Sequence, residues 1–357
     1  MMVEETKLFE VLNKIKNIDI AAMDNAKIRW DNIGKPIDGL GRFEKIFIKI
    51  AGIKSTADFT LRKKAIAVMC SDNGVVDEGV SQSGSGVTAI VAGNIAKGRS
   101  SVCLLSKSSN TEVFPFDVGM KIDVEGVTIL KTACGSGNIC KEEAMSRNDT
   151  VKTILNGIRI AEKFSDYDIV GIGEMGIGNT TTSSAVCAVL TGLSPEEVTG
   201  YGAGLSDDGY IKKLSAIKRA IEFHKPNTND VIEVLSKVGG YDIAALTGFI
   251  IGCAFNRIPV VLDGVITQTS ALAAVLLKKE IGCYIFASHC GREPACKMLA
   301  EQLSLEAVIN ADMALGEGTG AALFMSLIDC VSVMYETNVT FNDIKVEKYE
   351  HFRRGQV

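Results

Sequence analysis

The sequence predicts an α/β protein. Its large, Rossmann-like domain is a parallel sheet flanked by helices, and a small helical domain is built from the two chain ends. Short apolar runs rich in β-branched residues alternate with segments of helical period, as in βαβ units. Each of the four clearest runs stops at small or polar residues and is followed by a helical pattern. Hydrophobic residues make up 46% of the 357 residues and charged residues 23%, which is typical of a globular chain with a sizeable core.

The four clear runs are predicted as buried strands, at residues 65–70, 168–173, 259–262 and 283–287. Residues 112–117 are a weaker fifth candidate. Ligands of open α/β sheets bind beyond the carboxyl ends of the strands, so we expect the functional site at that edge. The apolar stretch 243–255 is too short to span a bilayer and is predicted as a buried helix.

The two ends of the chain differ from its central part. Residues 1–60 begin with an amphipathic helix and continue into glycine-rich turns, and we assign them to the small domain. Residues 61–325 are predicted to form the large α/β domain, which would carry the functional site. A long apolar helix is predicted at residues 318–335, and the C-terminal segment 326–357 is expected to pack with the small domain.

Composition narrows the classes of partner. The net charge is −5 and no basic stripe is present, so we expect no nucleic-acid partner, and an anionic substrate must be held by local donors. The ten cysteines contain no C-x-x-C pair and there are three histidines, so we expect buried reduced thiols and no metal site. The N-terminus carries acidic residues and no apolar core, which predicts a cytoplasmic protein without a secretory signal or a membrane partner.

The most informative segment is the glycine-rich run 171–182, which follows a predicted strand and opens a helix. Glycines such as Gly176 and Gly178 let the backbone turn sharply, and free N–H groups at the helix start, near Asn179, can bind a phosphate. Thr180 would supply a cap or a phosphate-binding hydroxyl. The spacing matches neither the Walker pattern nor the dinucleotide fingerprint. A glycine-rich turn that serves helix–sheet packing stays the alternative.

A second glycine turn contains Gly202 and Gly204 and precedes a helix that carries Lys212 and Lys213. A lysine one turn into that helix could reach a phosphate held between the two glycine loops. The alternative is a solvated helical face, which is the usual position of paired lysines.

Two further predicted strand ends carry polar residues. Asp263 lies at the carboxyl end of a strand, where a carboxylate commonly accepts hydrogen bonds from ribose hydroxyls; capping of a helix that starts near Thr267 is the alternative. The sequence Ser288-His289-Cys290 suggests a Cys–His nucleophile, but adjacent residues at a strand end point to opposite faces. A structural histidine is therefore favoured.

Glu317 lies between two glycines, close to apolar Met313 and Leu315, and just before the long apolar helix. A carboxylate in such surroundings is costly to desolvate, which suits a general base. The alternative is a charge that favours the N-terminal end of the helix dipole. Flanking glycines build a poor cap but leave room for a ligand.

Together these segments resemble the nicotinate-nucleotide–dimethylbenzimidazole phosphoribosyltransferases of cobamide lower-ligand assembly. The resemblance runs in order along nearly the whole chain. It is carried by LGRFE (40–44), DNGVVDEGVS (72–81), GEMGIGNTT (173–181), YDIAALTG (241–248), LDG (262–264), SHC (288–290) and LGEGTG (315–320). One departure is the stretch 83–86, Ser-Gly-Ser-Gly, where the family usually has an aromatic residue followed by proline.

The resemblance implies a homodimer and transfer of the 5-phosphoribosyl group from nicotinate mononucleotide to 5,6-dimethylbenzimidazole or a related base. The products would be an α-ribazole 5′-phosphate-type nucleotide and nicotinate, used for the nucleotide loop of cobalamin or another cobamide. It places the catalytic base at Glu317 and a second active-site carboxylate at Glu174, without a metal or redox cofactor. The implied substrate contacts are Gly176, Gly178, Asn179, Thr180, Gly202, Gly204, Lys213, Asp263 and Ser288, with Ser81, Met175 and Leu315 around the accepting base.

In the implied mechanism the pyridinium of the donor is the leaving group and the transition state resembles an oxocarbenium ion. Glu317 takes the proton of the incoming heterocycle, and Glu174 orients the ribose or stabilises the cation. Two other classes of function are weighed against it. A nicotinamide-dependent dehydrogenase would need the glycine fingerprint and an acidic residue about 20 positions on, and this sequence lacks them. A non-catalytic nucleotide-binding protein would not need both glutamates.

Overall fold

The computed structural model describes residues 3–336 and 339–351. These residues form six β-strands and fourteen α-helices. The strands are β1 Lys64–Ser71, β2 Glu112–Gly119, β3 Thr128–Ile129, β4 Ile169–Met175, β5 Val260–Leu262 and β6 Ile285–Ala287. The helices are α1 Val3–Lys14, α2 Ile20–Asn32, α3 Arg42–Lys54, α4 Gly86–Ala96, α5 Ser101–Ser106, α6 Arg147–Glu162, α7 Asn179–Thr191, α8 Pro195–Val198, α9 Asp207–His224, α10 Val231–Val238, α11 Tyr241–Phe255, α12 Val265–Leu277, α13 Ala295–Gln302 and α14 Thr319–Glu336.

The strands form one sheet in the order β3-β2-β1-β4-β5-β6, and every neighbouring pair is parallel. The predicted fold class, a parallel sheet flanked by helices, is confirmed. From β1 the chain adds strands toward one edge of the sheet, and from β4 it adds them toward the other edge. In doubly wound sheets such a switch point opens a crevice at the carboxyl ends of the strands. The order therefore places the ends of β1 and β4 at the expected position for a ligand.

The five predicted strands all form, with changes at their ends. β4 runs two residues further than predicted, so Glu174 and Met175 belong to the strand rather than to the turn after it. β6 is shorter than predicted, because residues up to Tyr284 form a short 3₁₀ turn. β3 was missed, since two exposed residues give no apolar run from which a strand can be predicted.

Buried helices cover the sheet. The predicted buried helix is α11, in which every residue from Tyr241 to Ala254 is buried; it packs against α6 and contacts β1 and β2. Helix α14 contacts β4, β5 and α5, which confirms the long helix predicted near the C-terminus. Among the described residues α14 is long and apolar enough to cross a membrane by length and composition, and 44% of it is buried inside the molecule.

The two ends of the chain pack together through an aromatic cluster. The ring of Trp30 in α2 lies 5.7 Å from that of Phe47 in α3 and 5.0 Å from that of Tyr335 in α14. A buried ion pair of 2.7 Å joins Lys35 to Glu44 next to this cluster. The N-terminal helices and the end of α14 therefore share one apolar core, and the predicted domain boundaries stay a prediction.

Candidate active site

A cavity of about 250 Å³ opens at the carboxyl edge of the sheet, where the site was predicted. It is bounded by the end of β4, the turn into α7, the start of α12 after β5, the loop after β6 and the loop that precedes α14. Nine of the predicted site residues line it: Glu174, Met175, Gly176, Asn179, Thr180, Gly202, Asp263, Leu315 and Glu317.

Five predicted site residues lie outside the lining. Gly178 caps the start of α7 with a φ of 92°, and Gly204 shapes its turn with a φ of 90°. Ser81 Oγ accepts a hydrogen bond from the amide of Ser83, and the fully buried Ser288 bonds to its neighbouring histidine. Lys213 lies behind the cavity wall. Lys213 reaches the cavity through its hydrogen bond to Thr180, whereas the substrate contacts expected of the other four residues stay predictions.

Glu174 is the buried carboxylate of the site. It is the penultimate residue of β4, and one of its oxygens accepts a short hydrogen bond from the side-chain amide of Asn179. Burial raises the pKa of Glu174 to about 8; the hydrogen bond from Asn179 lowers it, and the negative charges of Asp242, Asp263 and Glu317 raise it further. At neutral pH, Glu174 therefore holds a proton for most of the time.

Replacing Glu174 by glutamine should raise the melting temperature, and more so at high pH. The folded protein keeps the Glu174 proton up to a pKa of about 8, whereas an unburied glutamate has a pKa of 4.5. Folding therefore favours the protonated form of Glu174. Its contribution to the free energy of unfolding is fully present below pH 4.5, the pKa in the unfolded chain, and is lost as the pH rises through about 8, the pKa in the folded protein. Glutamine stays neutral, so the gain should grow from about pH 5 to about pH 9 in thermal unfolding. A gain that is the same at both ends of this range, or is matched by Glu301→Gln at an exposed site in α13, contradicts this prediction.

Glu317 sits in a turn of unusual backbone geometry. The φ angles of Gly316, Glu317 and Gly318 are 88°, 61° and 93°, so three consecutive residues are left-handed. A non-glycine residue in this region costs about 1 kcal/mol and persists only when the surroundings hold it. Its carboxylate accepts a 3.4 Å hydrogen bond from the amide of Val102 and is half-buried. The strongly desolvated carboxylate expected at Glu317 is thus found at Glu174 instead.

Asp263 holds the Glu317 turn in place. One of its oxygens accepts a hydrogen bond of 3.0 Å from the amide of Gly318, and the other accepts one of 2.7 Å from the amide of Gly320. The helix that it caps is therefore α14, so the alternative of capping the helix near Thr267 does not hold. The contact of Asp263 with ribose hydroxyls stays a prediction. Both of its oxygens are engaged by backbone, so Asp263 positions the turn that carries Glu317.

The glycine-rich strand β4 supports the same turn. A Cβ on Gly173 would lie 2.4 Å from the carbonyl carbon and oxygen of Glu317 and from the nitrogen of Gly318. A Cβ on Gly171 would lie 2.8 Å from that of Ala321 in α14. For these two glycines the alternative of helix–sheet packing holds, and they leave room for the Glu317 turn to cross the end of the sheet.

A buried cation lies behind the cavity wall at Thr180, and we call this part of the cavity its lysine end. Lys213 in α9 is fully buried, and its Nζ donates 3.0 Å hydrogen bonds to Thr180 Oγ1 and to the carbonyl of Gly200. Burial lowers the pKa of Lys213 to about 8, and the negative charge of Glu293 opposes this effect. The solvated-face alternative fails for Lys213, whereas its neighbour Lys212 is exposed. Among the described residues no carboxylate lies within ion-pair distance of Lys213 Nζ.

His289 lines the cavity next to Asp263. Its Nδ1 lies 2.9 Å from Ser288 Oγ and 3.9 Å from Asp263 Oδ1. Burial lowers the pKa of His289, and the charge of Asp263 opposes this effect only in part. A neutral, hydrogen-bonded histidine fits the structural interpretation better than a Cys–His nucleophile. Across residues 3–336 and 339–351, no group of His, Cys, Asp and Glu side chains has the arrangement of a metal site.

The apolar side chains that line the cavity include Met175, Ile177, Val91 and Leu315. The stretch 83–86, where the sequence departs from the family pattern, does not line the cavity. The sequence did not point to Val91 or Ile177, because apolar residues on helices and turns are indistinguishable from core residues before the fold is known. It also missed Glu293, although a charged Arg-Glu pair just after a predicted strand end was a signal that could have been used.

Comparisons with known proteins agree with one another. A family model described as phosphoribosyltransferase matches residues 15–346. Two relatives named nicotinate-nucleotide–dimethylbenzimidazole phosphoribosyltransferase are similar over nearly their whole length. The one from Ruminiclostridium cellulolyticum is 45% identical, covering 96% of this chain and 98% of that protein. The one from Acetivibrio thermocellus is 42% identical, covering 96% and 99%. The crystal structure of CobT from Thermus thermophilus superposes with a TM-score of 0.86 at 30% identity, covering 92% of this chain and all of that one.

Proposed function

The chain belongs to the nicotinate-nucleotide–dimethylbenzimidazole phosphoribosyltransferase family, and from that premise we propose how its residues divide the work. The enzyme transfers the 5-phosphoribosyl group of nicotinate mononucleotide to 5,6-dimethylbenzimidazole or a related base, in the synthesis of cobamides. We propose that the transfer takes place in the cavity at the carboxyl ends of the strands. The observation that carries this proposal is the combination of two adjacent carboxylates, Glu174 and Glu317, with a buried lysine behind one wall of the same cavity.

The donor's 5′-phosphate binds at the lysine end. Lys213 supplies the charge, Thr180 the hydroxyl between Lys213 and the cavity, and Gly202 a backbone amide. Support comes from the energetics of burial, since a cation removed from water and hydrogen-bonded to neutral oxygens is stabilised strongly by an anionic ligand. Glycines at the turn let the backbone approach the phosphate closely.

Replacing Lys213 by alanine should weaken donor binding by about 10- to 100-fold, because a hydrogen bond to a charged group contributes about 1.5–3 kcal/mol. Lys212→Ala is the matched control, since it removes the same charge from the neighbouring, exposed position of α9. Isothermal titration with nicotinate mononucleotide measures both. Equal affinity in the two variants would mean that the phosphate binds elsewhere.

The ribose lies between the two carboxylates. The glycosidic bond between C1′ and the pyridinium nitrogen breaks with its electron pair going to nitrogen, which releases neutral-ring nicotinate. Positive charge then develops on the ribosyl carbon and ring oxygen. The pyridinium of the bound donor favours ionised Glu174, which gives up its proton on binding and then stabilises the oxocarbenium-like transition state.

The accepting base binds against the apolar side chains of Met175, Val91 and Leu315 in the cavity wall. One ring nitrogen forms the new bond to C1′ while Glu317 takes the proton of the other nitrogen. Attack from the face opposite the departing pyridinium inverts C1′, so a β-linked donor gives an α-linked product. Support for Glu317 as the base comes from its half-buried position at the cavity wall, where it meets both substrate and solvent.

The homodimer implied by the resemblance stays a prediction. It is supported by exposed apolar side chains on neighbouring helices, Leu104 in α5 and Leu327 and Val333 in α14, which a second subunit would cover. Sedimentation velocity of the purified chain tests it, and a monomer at micromolar concentration would contradict it. A cytoplasmic location and the division into residues 1–60, 61–325 and 326–357 likewise stay predictions.

A further inference from the structure

A carboxylate of the protein itself already occupies the lysine end of the cavity. One oxygen of Glu293 accepts a 2.9 Å hydrogen bond from the amide of Gly202. The carboxylate lies against Gly200 so closely that a Cβ there would be 2.2 Å from its other oxygen. Its charge acts on Lys213, opposing the effect of burial on the pKa of that lysine. We call Gly202, Thr180 and Lys213 the anion cradle.

The side chain of Glu293 reaches the cradle from a different part of the fold. It projects from the loop between β6 and α13 and is half-buried, so water is on one side of it. The backbone of this loop is anchored, because the amide of Arg292 donates to the carbonyl of Met313 at 3.0 Å and that of Cys296 donates to the carbonyl of Glu293 at 3.0 Å. Rotation of the Glu293 side chain toward solvent therefore empties the cradle without movement of the backbone.

We propose that Glu293 is an intramolecular occupant of the donor's phosphate position, and that the donor binds by displacing it. This inference rests on the proposed placement of the phosphate at Lys213, Thr180 and Gly202. A dianionic phosphate and an ionised carboxylate repel each other at contact distance, so the two cannot share the cradle. The donor wins the exchange because a phosphate offers more acceptor oxygens and charge than a carboxylate and is held in addition through its ribose and pyridinium.

The consequence is a reduced affinity for every phosphate ligand. When the competent form of a site is only fractionally populated, the apparent affinity falls by that fraction. Free inorganic phosphate has no ribose or ring contacts with which to offset the loss, so Glu293 keeps it from blocking the unliganded enzyme. The same competition favours departure of the product nucleotide, since Glu293 returns to the cradle as the phosphate leaves.

The test is Glu293→Gln, which keeps the acceptor oxygen for Gly202 but removes the charge. We expect this variant to bind inorganic phosphate and nicotinate mononucleotide about tenfold more tightly than the unmodified enzyme, and by the same factor for both ligands. Nicotinate riboside, which has no phosphate, should bind with little change. Glu301→Gln in α13 is the matched control, because it removes the same charge from an exposed position close by. Competition titrations with inorganic phosphate as the probe measure all of these affinities.

Two further variants separate the outcomes. Glu293→Ala replaces the glutamine variant if the latter folds poorly, and it should also tighten phosphate binding. Lys213→Ala should weaken phosphate binding in the same titrations. If it does so while neither Glu293 variant tightens binding, the displacement inference is overturned and the proposed phosphate site stands. If Lys213→Ala has no effect, the cradle itself is misplaced, and both proposals fall.

Discussion

Replacement of Glu317 by glutamine should lower the turnover number by about 10²–10⁴, the range that a positioned general base contributes. Glutamine has nearly the same shape and keeps an oxygen that can accept the hydrogen bond from Val102, so the turn is preserved. It cannot take a proton from the incoming heterocycle, however. Donor affinity should change little, because the proposed phosphate contacts, Gly202, Thr180 and Lys213, do not include Glu317.

The measurement that checks this expectation is a steady-state assay of nicotinate release with a saturating benzimidazole, together with donor titration. Glu301→Gln provides the matched loss of one carboxylate charge. A variant with near-normal turnover removes Glu317 from the mechanism. A variant whose donor affinity falls as much as its turnover would indicate that Glu317 binds the donor rather than activates the base.

The fold could be predicted from the sequence because its signals are local. Runs such as residues 65–70 combine β-branched residues with complete burial, and the structure has them as strands in one parallel sheet. β3 could not be predicted, since it exists through its pairing with Phe116 and Asp117 rather than through its own side chains. The observed strand ends differ from the predicted ones by one or two residues. The difference matters at Glu174, because its position inside β4 is what buries it.

The sequence pointed to nine residues that line one cavity, but not to all of the contacts that they make. Glycine-rich turns and isolated carboxylates can be recognised by pattern and by resemblance. The cap that Asp263 provides joins residues 55 positions apart in the chain, so no local signal could reveal which helix it holds. The occupant Glu293 lies 91 positions from Gly202 and depends equally on the tertiary fold. Roles that arise from distant contacts are the ones that only the structure supplies.

Gly173→Ala should reduce turnover by about 10²-fold although Gly173 touches no substrate in the proposed mechanism, because a displacement of a catalytic group by about 1 Å can have this effect. The added methyl group would sit 2.4 Å from three backbone atoms of Glu317 and Gly318, which is far inside van der Waals contact. None of these atoms belongs to a flexible side chain that could turn away. The turn that carries Glu317 must therefore move, and its two hydrogen bonds to Asp263 must lengthen with it.

The expected loss is in kcat rather than in donor affinity, since the anion cradle does not include the displaced turn. Overpacking should also lower the free energy of unfolding by about 1–3 kcal/mol, which thermal or urea unfolding measures. Gly282→Ala is the matched control, because the nearest atom to its added Cβ is a side-chain methyl group of Val275 at 3.8 Å. A Gly173→Ala enzyme that is destabilised yet fully active would show that the Glu317 turn tolerates displacement, and it would contradict this prediction.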